Sequence, residues 1–211
     1  MADEIVFFTN PQSRGAMTHW MLEEIGCPYR LEIVAYGPPM KSADFLAVNP
    51  MGKVPAIVHQ GRIVTECGAI CAYLADAFPQ AGLLPPVEAR ADYYRWLFFT
   101  AGPVEAAFSN KAAGFEPDTD KQRMFGYGNY GLTIDTLEKA VAGKTFIAGN
   151  SFSAADVYVG SMIDFMLAFK LMPSRPAFED YVGPLRERLA YKRAKEIDNA
   201  LIAEMQQPAA T

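Results

Sequence analysis

The sequence lacks an excess of positive charge. Its 19 Lys and Arg residues are outnumbered by 24 Asp and Glu residues, which gives a formal net charge of −5 at pH 7. No basic arm or stripe interrupts this balance, although proteins that bind nucleic acids usually carry one. We therefore expect no nucleic-acid partner for this chain.

Long hydrophobic runs are also missing. No apolar stretch approaches the ~18 residues that indicate a membrane-spanning helix, so we expect no membrane partner. The first ten residues, MADEIVFFTN, are acidic and then briefly apolar. They lack the basic start and the long apolar core of a secretory signal, which favours a cytoplasmic location.

Cysteine and histidine are scarce. The three cysteines, Cys27, Cys67 and Cys71, are an odd and sparse set, typical of the reducing cytoplasm rather than of a disulfide framework. The two histidines, His19 and His59, stand far apart without a cluster of other ligands. We expect no metal site, and the sequence contains no glycine-rich phosphate-binding loop.

The remaining composition is that of an ordinary globular protein. The chain has 211 residues, of which 51% are hydrophobic and 20% are charged. This length suffices for a sizeable core and for one or two domains. The order of elements along the chain then decides between one domain and two.

Residues 1–79 alternate between strand and helix patterns. Strands are predicted at residues 5–8, 29–34, 55–58 and 62–64, and helices at residues 13–25 and 66–78. Gly26 follows the first helix as a typical C-terminal stop, and the Gly- and Pro-rich residues 36–51 are predicted to form a loop. This order indicates one small α/β domain whose first two strands run parallel.

The pattern from residue 88 onward is helical. Helices are predicted at residues 88–113, with a bend near Gly102 and Pro103, and at 118–141, 157–169, 176–189 and 192–205. Residues 80–87, rich in Gly and Pro, are interpreted as a linker. We therefore predict an α/β domain at 1–79 and an all-helical domain at 88–211, with the tail QQPAAT frayed.

Two local features qualify the helical pattern. Ser153 and Asp156 form a capping-box pattern at the start of the third helix, with Asp in the place of the usual Glu. Glycines at positions 126, 128 and 131 weaken the second helix, because each costs a helix roughly 1 kcal/mol. The second helix is thus the least strongly indicated of the set.

Three stretches together resemble the glutathione S-transferase family. They are NPMGKVPA at residues 49–56, TECGAICAYL at 65–74 and FSAAD at 152–156, and the segment from Ser13 to Glu24 is similar to the family's first helix. The likeness covers almost the whole chain in the family's order. It implies an α/β plus all-α fold: a thioredoxin-like N-terminal domain followed by an all-helical domain. It also implies reduced glutathione as co-substrate and no metal.

The first stretch implies a contact with the glutathione backbone. In the family, the peptide bond before the second proline of this stretch is cis. The resemblance therefore implies a cis Val54–Pro55 bond here. A proline cannot donate to a sheet ladder, so it is confined to the starts and edges of strands. The resemblance implies that the N–H and C=O of Val54 pair with the tripeptide instead, as an added strand would.

The second stretch implies the site of the γ-glutamyl end. A helix N-terminus offers unpaired N–H groups and a partial positive charge, so the N–H of residue 67 would bind the carboxylate and Glu66 the ammonium group. The family usually has Ser at position 67, whereas Cys67 is a weak donor. Lys41 and Lys53 are candidates for the glycyl carboxylate, with solvated surface lysines as the alternative.

The catalytic group is expected in the loop FFTNPQSR at residues 7–14, where members of the family place Tyr, Ser or Cys. Neither Tyr nor Cys occurs in this loop. Ser13 offers a hydroxyl, although it would also suit a helix cap. Asn10 stands where some serine-type members hold their catalytic group, and Thr9 is the third option.

The helical domain is expected to bind the second substrate. Phe108 and Phe115 flank its Gly- and Pro-bearing bends and are candidates for lining a pocket for a small electrophile. Aromatic residues at helical spacing are more usually core residues. Because members of the family commonly pair, the resemblance also implies a homodimer.

The resemblance implies an enzyme that conjugates reduced glutathione to small, mostly apolar electrophiles through an activated thiolate, a detoxification reaction. One alternative is a binding or stress protein of the same fold with little or no turnover. Another is a glutathione-dependent peroxidase or thiol transferase. Cys67 stands at a helix N-terminus with Cys71 one turn further, which leaves a redox role open beside an ordinary structural one.

Overall fold

Residues 4–207 are described by the structure, a computed structural model, so most of the tail predicted to fray lies outside the described residues. The chain forms two compact units. The first combines the residues up to Ala81 with those from Glu187 onward, and the second comprises Gly82–Arg186. The first unit contains the sheet and the second is helical, which confirms the predicted fold class.

Four strands of the described residues form one mixed sheet in the order β2-β1-β3-β4. They are β1, Ile5–Thr9; β2, Tyr29–Ile33; β3, Ala56–His59; and β4, Arg62–Thr65. β1 and β2 are parallel, with helix α1, Gly15–Ile25, between them in the chain, and β3 runs antiparallel to both β1 and β4. The predicted parallel β-α-β half is confirmed.

The sheet is held by apolar side chains at alternate positions. In β1, Ile5 and Phe7 are fully buried, whereas Val6 and Phe8 are only half-buried, as the two-residue period of a strand requires. Ile57 of β3 lies opposite Phe7 and is buried as well. Each such burial contributes roughly 1.5–3 kcal/mol, which fixes β1 in the interior of the sheet.

Two further helices of this unit pack on α1. They are α3, Cys67–Ala77, and α9, Leu189–Met205. His19 of α1 is fully buried; its Nδ1 lies 2.7 Å from an oxygen of Asp198 in α9, and its Nε2 lies 2.7 Å from the hydroxyl of Tyr29 in β2. This polar chain joins the last helix to the sheet.

Two further contacts between α1 and the last helix accompany that buried chain. Trp20 meets Tyr191 edge to face, with ring centroids 5.1 Å apart, and Arg188 donates two hydrogen bonds of 2.6 and 2.8 Å to the carboxylate of Glu24. Because the partners of α9 lie on α1, the last helix belongs with the sheet unit. The division of the chain into domains at residues 1–79 and 88–211 stays a prediction.

The loop predicted at residues 36–51 contains helical segments, so that part of the prediction is wrong. They are a 3-10 turn at Pro38–Lys41 and helix α2 at Ala43–Val48. Ser42 caps α2 by accepting a hydrogen bond from the N–H of Phe45, and Phe45 is buried with Val34 and Met40. A helix this short shows no clear periodicity, and its stability comes from packing.

The helices of the second unit follow one another along the chain. They are α4, Arg90–Phe99; α5, Glu105–Ala112; α6, Tyr130–Val141; α7, Ala154–Ala168; and α8, Pro176–Arg186. Between α4 and α5, Thr100–Val104 form a π-helical turn that contains Pro103, at the position of the predicted bend. The predicted last three helices correspond to α7, α8 and α9, with ends shifted by up to three residues.

Only the second half of the helix predicted at residues 118–141 forms. α6 begins at Tyr130, and the residues before it hold a 3-10 turn at Gln122–Met124. Gly128 adopts a φ of +66°, a left-handed conformation that ends helical continuity. Asn129 then caps α6 by accepting a hydrogen bond from the N–H of Leu132. The glycines that weaken the pattern therefore mark where the helix starts.

The capping box predicted at the start of α7 is confirmed. Asp156 is fully buried and accepts hydrogen bonds from the N–H of Ser153 at 2.9 Å, the N–H of Ile147 at 2.7 Å and the hydroxyl of Tyr181 at 2.8 Å. Burial raises the pKa of the Asp156 carboxyl, and these hydrogen bonds oppose that rise. The cluster fixes the entry to the central helix of the second unit.

Candidate functional site

The register of the sheet brings several loops to one end of it. Thr9, the last residue of β1, pairs with Ile33, the last residue of β2. Ala56, the first residue of β3, lies opposite both Phe8 and Thr65, the last residue of β4. The residues that follow β1, β2 and β4, and those that precede β3, therefore emerge side by side.

Direct contacts tie these loops together. The N–H of Val34 donates to the C=O of Thr9 at 2.8 Å, which joins the loop after β2 to the end of β1. The thiol of Cys67 lies 3.7 Å from the C=O of Arg14, which joins the start of α3 to the start of α1. Most of the residues predicted to bind glutathione or activate it stand on these loops.

Asn10, one of the three predicted catalytic residues, is fully buried in the turn between β1 and α1. Its side-chain amide donates to the C=O of Val34 at 3.1 Å, and its side-chain oxygen accepts from the N–H of Gln12 at 3.0 Å. The Asn10 side chain therefore shapes the turn and links it to the neighbouring loop.

Ser13, the first choice from the sequence, is partly exposed in the same turn. Its hydroxyl donates to the C=O of Asn10 at 2.6 Å and accepts from the N–H of Gly15 at 2.9 Å. The hydroxyl proton is thus engaged by a backbone carbonyl, and its oxygen caps the first residue of α1. This geometry corresponds to the capping alternative that the sequence left open.

Thr9, the third option, is buried at the end of β1 and is 1% exposed. α1 begins directly against it, because Gly15 has no side chain. A Cβ at position 15 would lie 2.0 Å from the Thr9 hydroxyl oxygen, far inside any contact distance. Gly15 therefore allows the N-terminus of α1 to reach the loop end of the sheet.

Asn49 organises the segment before β3. It is 4% exposed, donates to the C=O of Lys53 at 2.7 Å and accepts from the N–H of Met51 at 3.1 Å. Gly52 has a φ of +59°, and a Cβ there would lie 2.5 Å from the C=O of Met40. The following Val54–Pro55 bond is cis. Val54 thus lies just before β3, outside the hydrogen-bonded strand pairs.

One of the two predicted lysines contacts this segment and the other belongs to it. Lys41 is exposed, and its ammonium group donates to the C=O of Met51 at 3.0 Å. Lys53 is exposed as well. Lys41 therefore contacts the segment that Asn49 orders, and Lys53 directly precedes Val54 within it.

Glu66 and Cys67 form the junction between β4 and α3. Glu66 is exposed, and its φ of +70° lies in the left-handed region that side chains other than glycine rarely adopt. Cys67, the first residue of α3, is partly buried. Such conformations cost of order 1–3 kcal/mol and cluster at ligand sites, so this junction is a candidate binding position.

Cys71 lies one turn after Cys67 on α3 and is fully buried. Burial raises the pKa of its thiol well above the ordinary value, and the neighbouring Cys67 adds to the rise. A buried, protonated thiol is unreactive. The structure records Cys27, Cys67 and Cys71 as free thiols, so the geometry favours a structural role for Cys71.

The two candidate substrate residues belong to the second unit. Phe108 of α5 is buried and packs against Phe165 of α7, with centroids 6.4 Å apart. Phe115 is 45% exposed and lies against Phe125, with centroids 5.6 Å apart. Phe108 thus serves the core of the unit, whereas Phe115 remains partly exposed.

Two other kinds of site are absent from the described residues. Within residues 4–207, no group of three or more His, Cys, Asp and Glu side chains is arranged to hold a metal ion. Nor is any helix in this part of the chain both long and apolar enough to cross a membrane.

Two residues of the site were missed by sequence reasoning as contributors in their own right. The sequence presents Asn49 only as part of the motif NPMGKVPA, and Tyr36 as one residue of the Gly- and Pro-rich loop. The hydroxyl of Tyr36 donates to the C=O of Gln12 at 3.1 Å. No local pattern indicates this contact, because its two residues are 24 positions apart.

Comparisons with known proteins agree with this geometry. A family model described as the N-terminal domain of glutathione S-transferase matches residues 15–77. Glutathione S-transferase GstA of Escherichia coli O157:H7 is 29% identical over 206 residues, which cover 93% of this chain and 97% of that protein. Glutathione S-transferase U4 of Arabidopsis thaliana is 32% identical over 170 residues, which cover 77% of this chain and 70% of that protein.

A solved structure extends the likeness to three dimensions. The sphingomonad glutathione S-transferase complexed with glutathione has a TM-score of 0.70 to this chain at 28% identity, and the match covers 92% of this chain and 98% of that one. The alignment with the Arabidopsis protein exceeds two thirds of the length of both proteins. The chain therefore belongs to the glutathione S-transferase family of enzymes.

Proposed function

We propose that the protein conjugates reduced glutathione to small electrophilic, mostly apolar substrates through an activated thiolate. The observation that carries this proposal is the meeting of the start of α1, Val54 and the Glu66–Cys67 junction at one end of the sheet. Relatives named glutathione S-transferase and a related structure with bound glutathione support it.

Each part of glutathione has a chemically suitable partner at this end of the sheet. The N–H of Cys67 binds the γ-glutamyl carboxylate at the positive end of α3, and Glu66 binds the ammonium group. The backbone of Val54 pairs with the cysteinyl residue as an added strand would. Lys41 and Lys53 bind the glycyl carboxylate. Cys67 contributes its N–H rather than a strong side-chain donor.

The thiol must then be ionised at the pH of the cytoplasm, which we propose as the protein's location. A free thiol has a pKa near 8.5, and lowering it by ~2 pH units requires about 2.7 kcal/mol of preferential thiolate stabilisation. A hydrogen bond to a charged group supplies roughly 1.5–3 kcal/mol, and a helix N-terminus adds about 0.3–1 kcal/mol. One donor at the start of α1 is therefore sufficient.

The binding half of the proposal is tested by Glu66→Ala. We expect its KM for glutathione to rise about ten-fold or more, because a hydrogen bond to a charged group is lost, while kcat at saturation changes little. Steady-state kinetics with a chloronitroarene measure both constants. Asp76→Ala, which removes an exposed carboxylate elsewhere on α3, is the matched control and should behave as wild type. Equal KM values for both variants would contradict the assignment.

A binding protein with little turnover is the second candidate function. The observation that favours it is the engagement of Asn10 and Ser13 in hydrogen bonds within their own turn. Retention on immobilised glutathione without turnover of the arene would support this function. Turnover of an organic hydroperoxide would instead favour the peroxidase alternative.

The proposal extends to the assembly and to the electrophile. Homodimers are common in the family, and sedimentation equilibrium at twice the monomer mass of 23.2 kDa would support one here. Of the two candidate phenylalanines, Phe115 is the better placed to contact an apolar electrophile, because its ring is partly exposed and that of Phe108 is buried.

A further inference from the structure

His19 of α1 is an ionisable side chain that lies inside the sheet unit and has no part in the proposed reaction. It is fully buried, and its ring packs against Phe7 of β1 with centroids 5.8 Å apart. Each ring nitrogen nevertheless lies 2.7 Å from a polar group, Nδ1 from a carboxylate oxygen of Asp198 and Nε2 from the hydroxyl of Tyr29. The protonation of the imidazole therefore depends on whether these two groups can donate.

Neither polar neighbour of His19 has a proton to give it. A carboxylate such as that of Asp198 only accepts hydrogen bonds, and the Tyr29 hydroxyl donates its single proton to Oε1 of Glu23. Burial raises the pKa of the Tyr29 phenol, and Glu23 adds to the rise, so the phenol keeps this proton. Both nitrogens of His19 must then donate, which requires the doubly protonated imidazolium.

The balance of charge around His19 favours the same form. The side chains of Glu23 and Asp198 are only 7% and 6% exposed. Arg193 of α9 lies 2.8 Å from the second oxygen of Glu23. Asp198 forms its ion pair with His19, and its other oxygen has no hydrogen-bond partner among the described residues. A neutral imidazole would leave this buried carboxylate uncompensated, which is strongly destabilising.

The helix α3, which also packs on α1, places its titratable side chains elsewhere. Cys67 contacts the start of α1, Tyr73 binds the other histidine of the chain, and Asp76 is exposed. Cys71 is a buried thiol whose pKa is raised well above the ordinary value, so it carries no charge. The groups that set the charge of the imidazole therefore belong to α1, β2 and α9.

We propose that His19 is a buried imidazolium and that its second proton couples the attachment of α9 to pH. The proton shared with Asp198 stays on nitrogen, because imidazole is a stronger base than a carboxylate. An unfolded chain loses this proton above about pH 6.5, whereas the folded protein retains it. The folded state then binds one proton more, so its stability falls as the pH rises. The contact between α1 and α9 weakens when the proton leaves.

Heteronuclear NMR of the imidazole nitrogens tests the charge of His19 in the full chain. At about pH 7.5, where an ordinary histidine is mostly neutral, we expect both nitrogens to show the chemical shifts of an imidazolium. The same nitrogens should show the shifts of a neutral imidazole when the chain is unfolded in urea. His19→Gln assigns the signals, because the chain contains two histidines. A neutral imidazole at His19 in the folded wild type would overturn the proposal.

Asp198→Asn removes the paired charge and keeps the size of the side chain. We expect the imidazole of His19 to be neutral at about pH 7.5 in this variant. Glu196→Gln, which removes an exposed charge from the same helix, is the matched control and should retain the imidazolium. An imidazolium that persists in a folded Asp198→Asn protein would overturn the role of the ion pair.

Urea unfolding at several pH values measures the coupling. Between about pH 7 and pH 8, the unfolding equilibrium constant of the wild type should rise about five- to ten-fold per pH unit relative to that of His19→Gln. Asp198→Asn is the second variant that should lack this rise, and Glu196→Gln should keep it. Equal pH dependence in the wild type and in either uncoupled variant would overturn the link between the proton and α9.

Discussion

Gly15 is the residue whose absent side chain matters most to the site. A Cβ there would lie 2.0 Å from the Thr9 hydroxyl oxygen and 3.2 Å from the Thr9 Cβ. Gly15→Ala should therefore destabilise the protein by about 1–3 kcal/mol, since overpacking forces side chains and backbone to move. Urea unfolding measures the change in the free energy of unfolding.

Gly131→Ala is the control for that prediction. Gly131 is exposed in the first turn of α6, and a Cβ there would meet its nearest described neighbour, the side-chain oxygen of Asn129, at 3.4 Å. Alanine is the better helix former by roughly 0.8–1.0 kcal/mol, so this variant should gain stability. A Gly15→Ala protein as stable as wild type would mean that α1 does not need to start against Thr9.

At the same scale, the sequence indicates a polar turn between β1 and α1 but not the hydrogen bonds that its polar atoms make. The loop composition predicts Asn10 and Ser13 as catalytic candidates, and their catalytic role stays a prediction. It did not indicate that the Asn10 amide binds the C=O of Val34, 24 positions away in the sequence. Hydrogen bonds of this kind depend on strand register, which a single sequence specifies only weakly.

At the scale of elements, the contact between α1 and α9 is unusual in having a polar centre. Asp198 is 4% exposed, and its carboxylate is bonded to the buried His19. Asp198→Ala should cost about 2–4 kcal/mol of unfolding free energy, because it leaves a buried imidazole nitrogen without a partner and creates a cavity. Equilibrium denaturation in urea would measure the loss.

A neighbouring carboxylate supplies the comparison for Asp198→Ala. Glu196 is on the same helix and is exposed, so Glu196→Ala should stay within about 0.5 kcal/mol of wild type. Asp198→Asn, which retains a side-chain oxygen near His19, should lie between the two. If Asp198→Ala matched Glu196→Ala, the buried polar chain would contribute nothing to the attachment of α9.

Element prediction succeeded where a pattern was long and failed where packing decided. α7 was recognisable because its apolar residues continue over four turns and a capping box precedes them. α2 was missed because six residues carry too little periodicity, and the burial of Phe45 that stabilises it is a tertiary effect. The helix predicted from residue 118 failed at Gly128, whose φ is positive.

At the scale of the whole molecule, the division into compact units does not follow the order of the chain. The last helix is part of the sheet unit, although all of Gly82–Arg186 separates them in sequence. Native-state hydrogen exchange in low urea should therefore group the amides of α9 with those of α1 and β1, because these elements open together. The amides of α7, in the second unit, are the internal comparison.

If the amides of α9 exchanged with the same opening free energy as the amides of α7, that grouping would be contradicted. The sequence suggested a simple succession of two domains, because composition changes once, at residues 80–87. Sequence patterns report local preference and say nothing about which distant helix a surface will pack against. The overall fold class could be predicted from the sequence, because it depends only on the order and type of the elements and not on which distant helices pack together.

The attachment of α9 to α1 has a consequence for how the protein is made. A ribosome releases the four strands and α1 long before residues 189–205 have been synthesised, so His19 and Trp20 first emerge without the helix that covers them. The sheet unit therefore reaches its finished form only after residues 189–205 have left the ribosome. Until then its uncovered face is a surface for chaperones or for unwanted association.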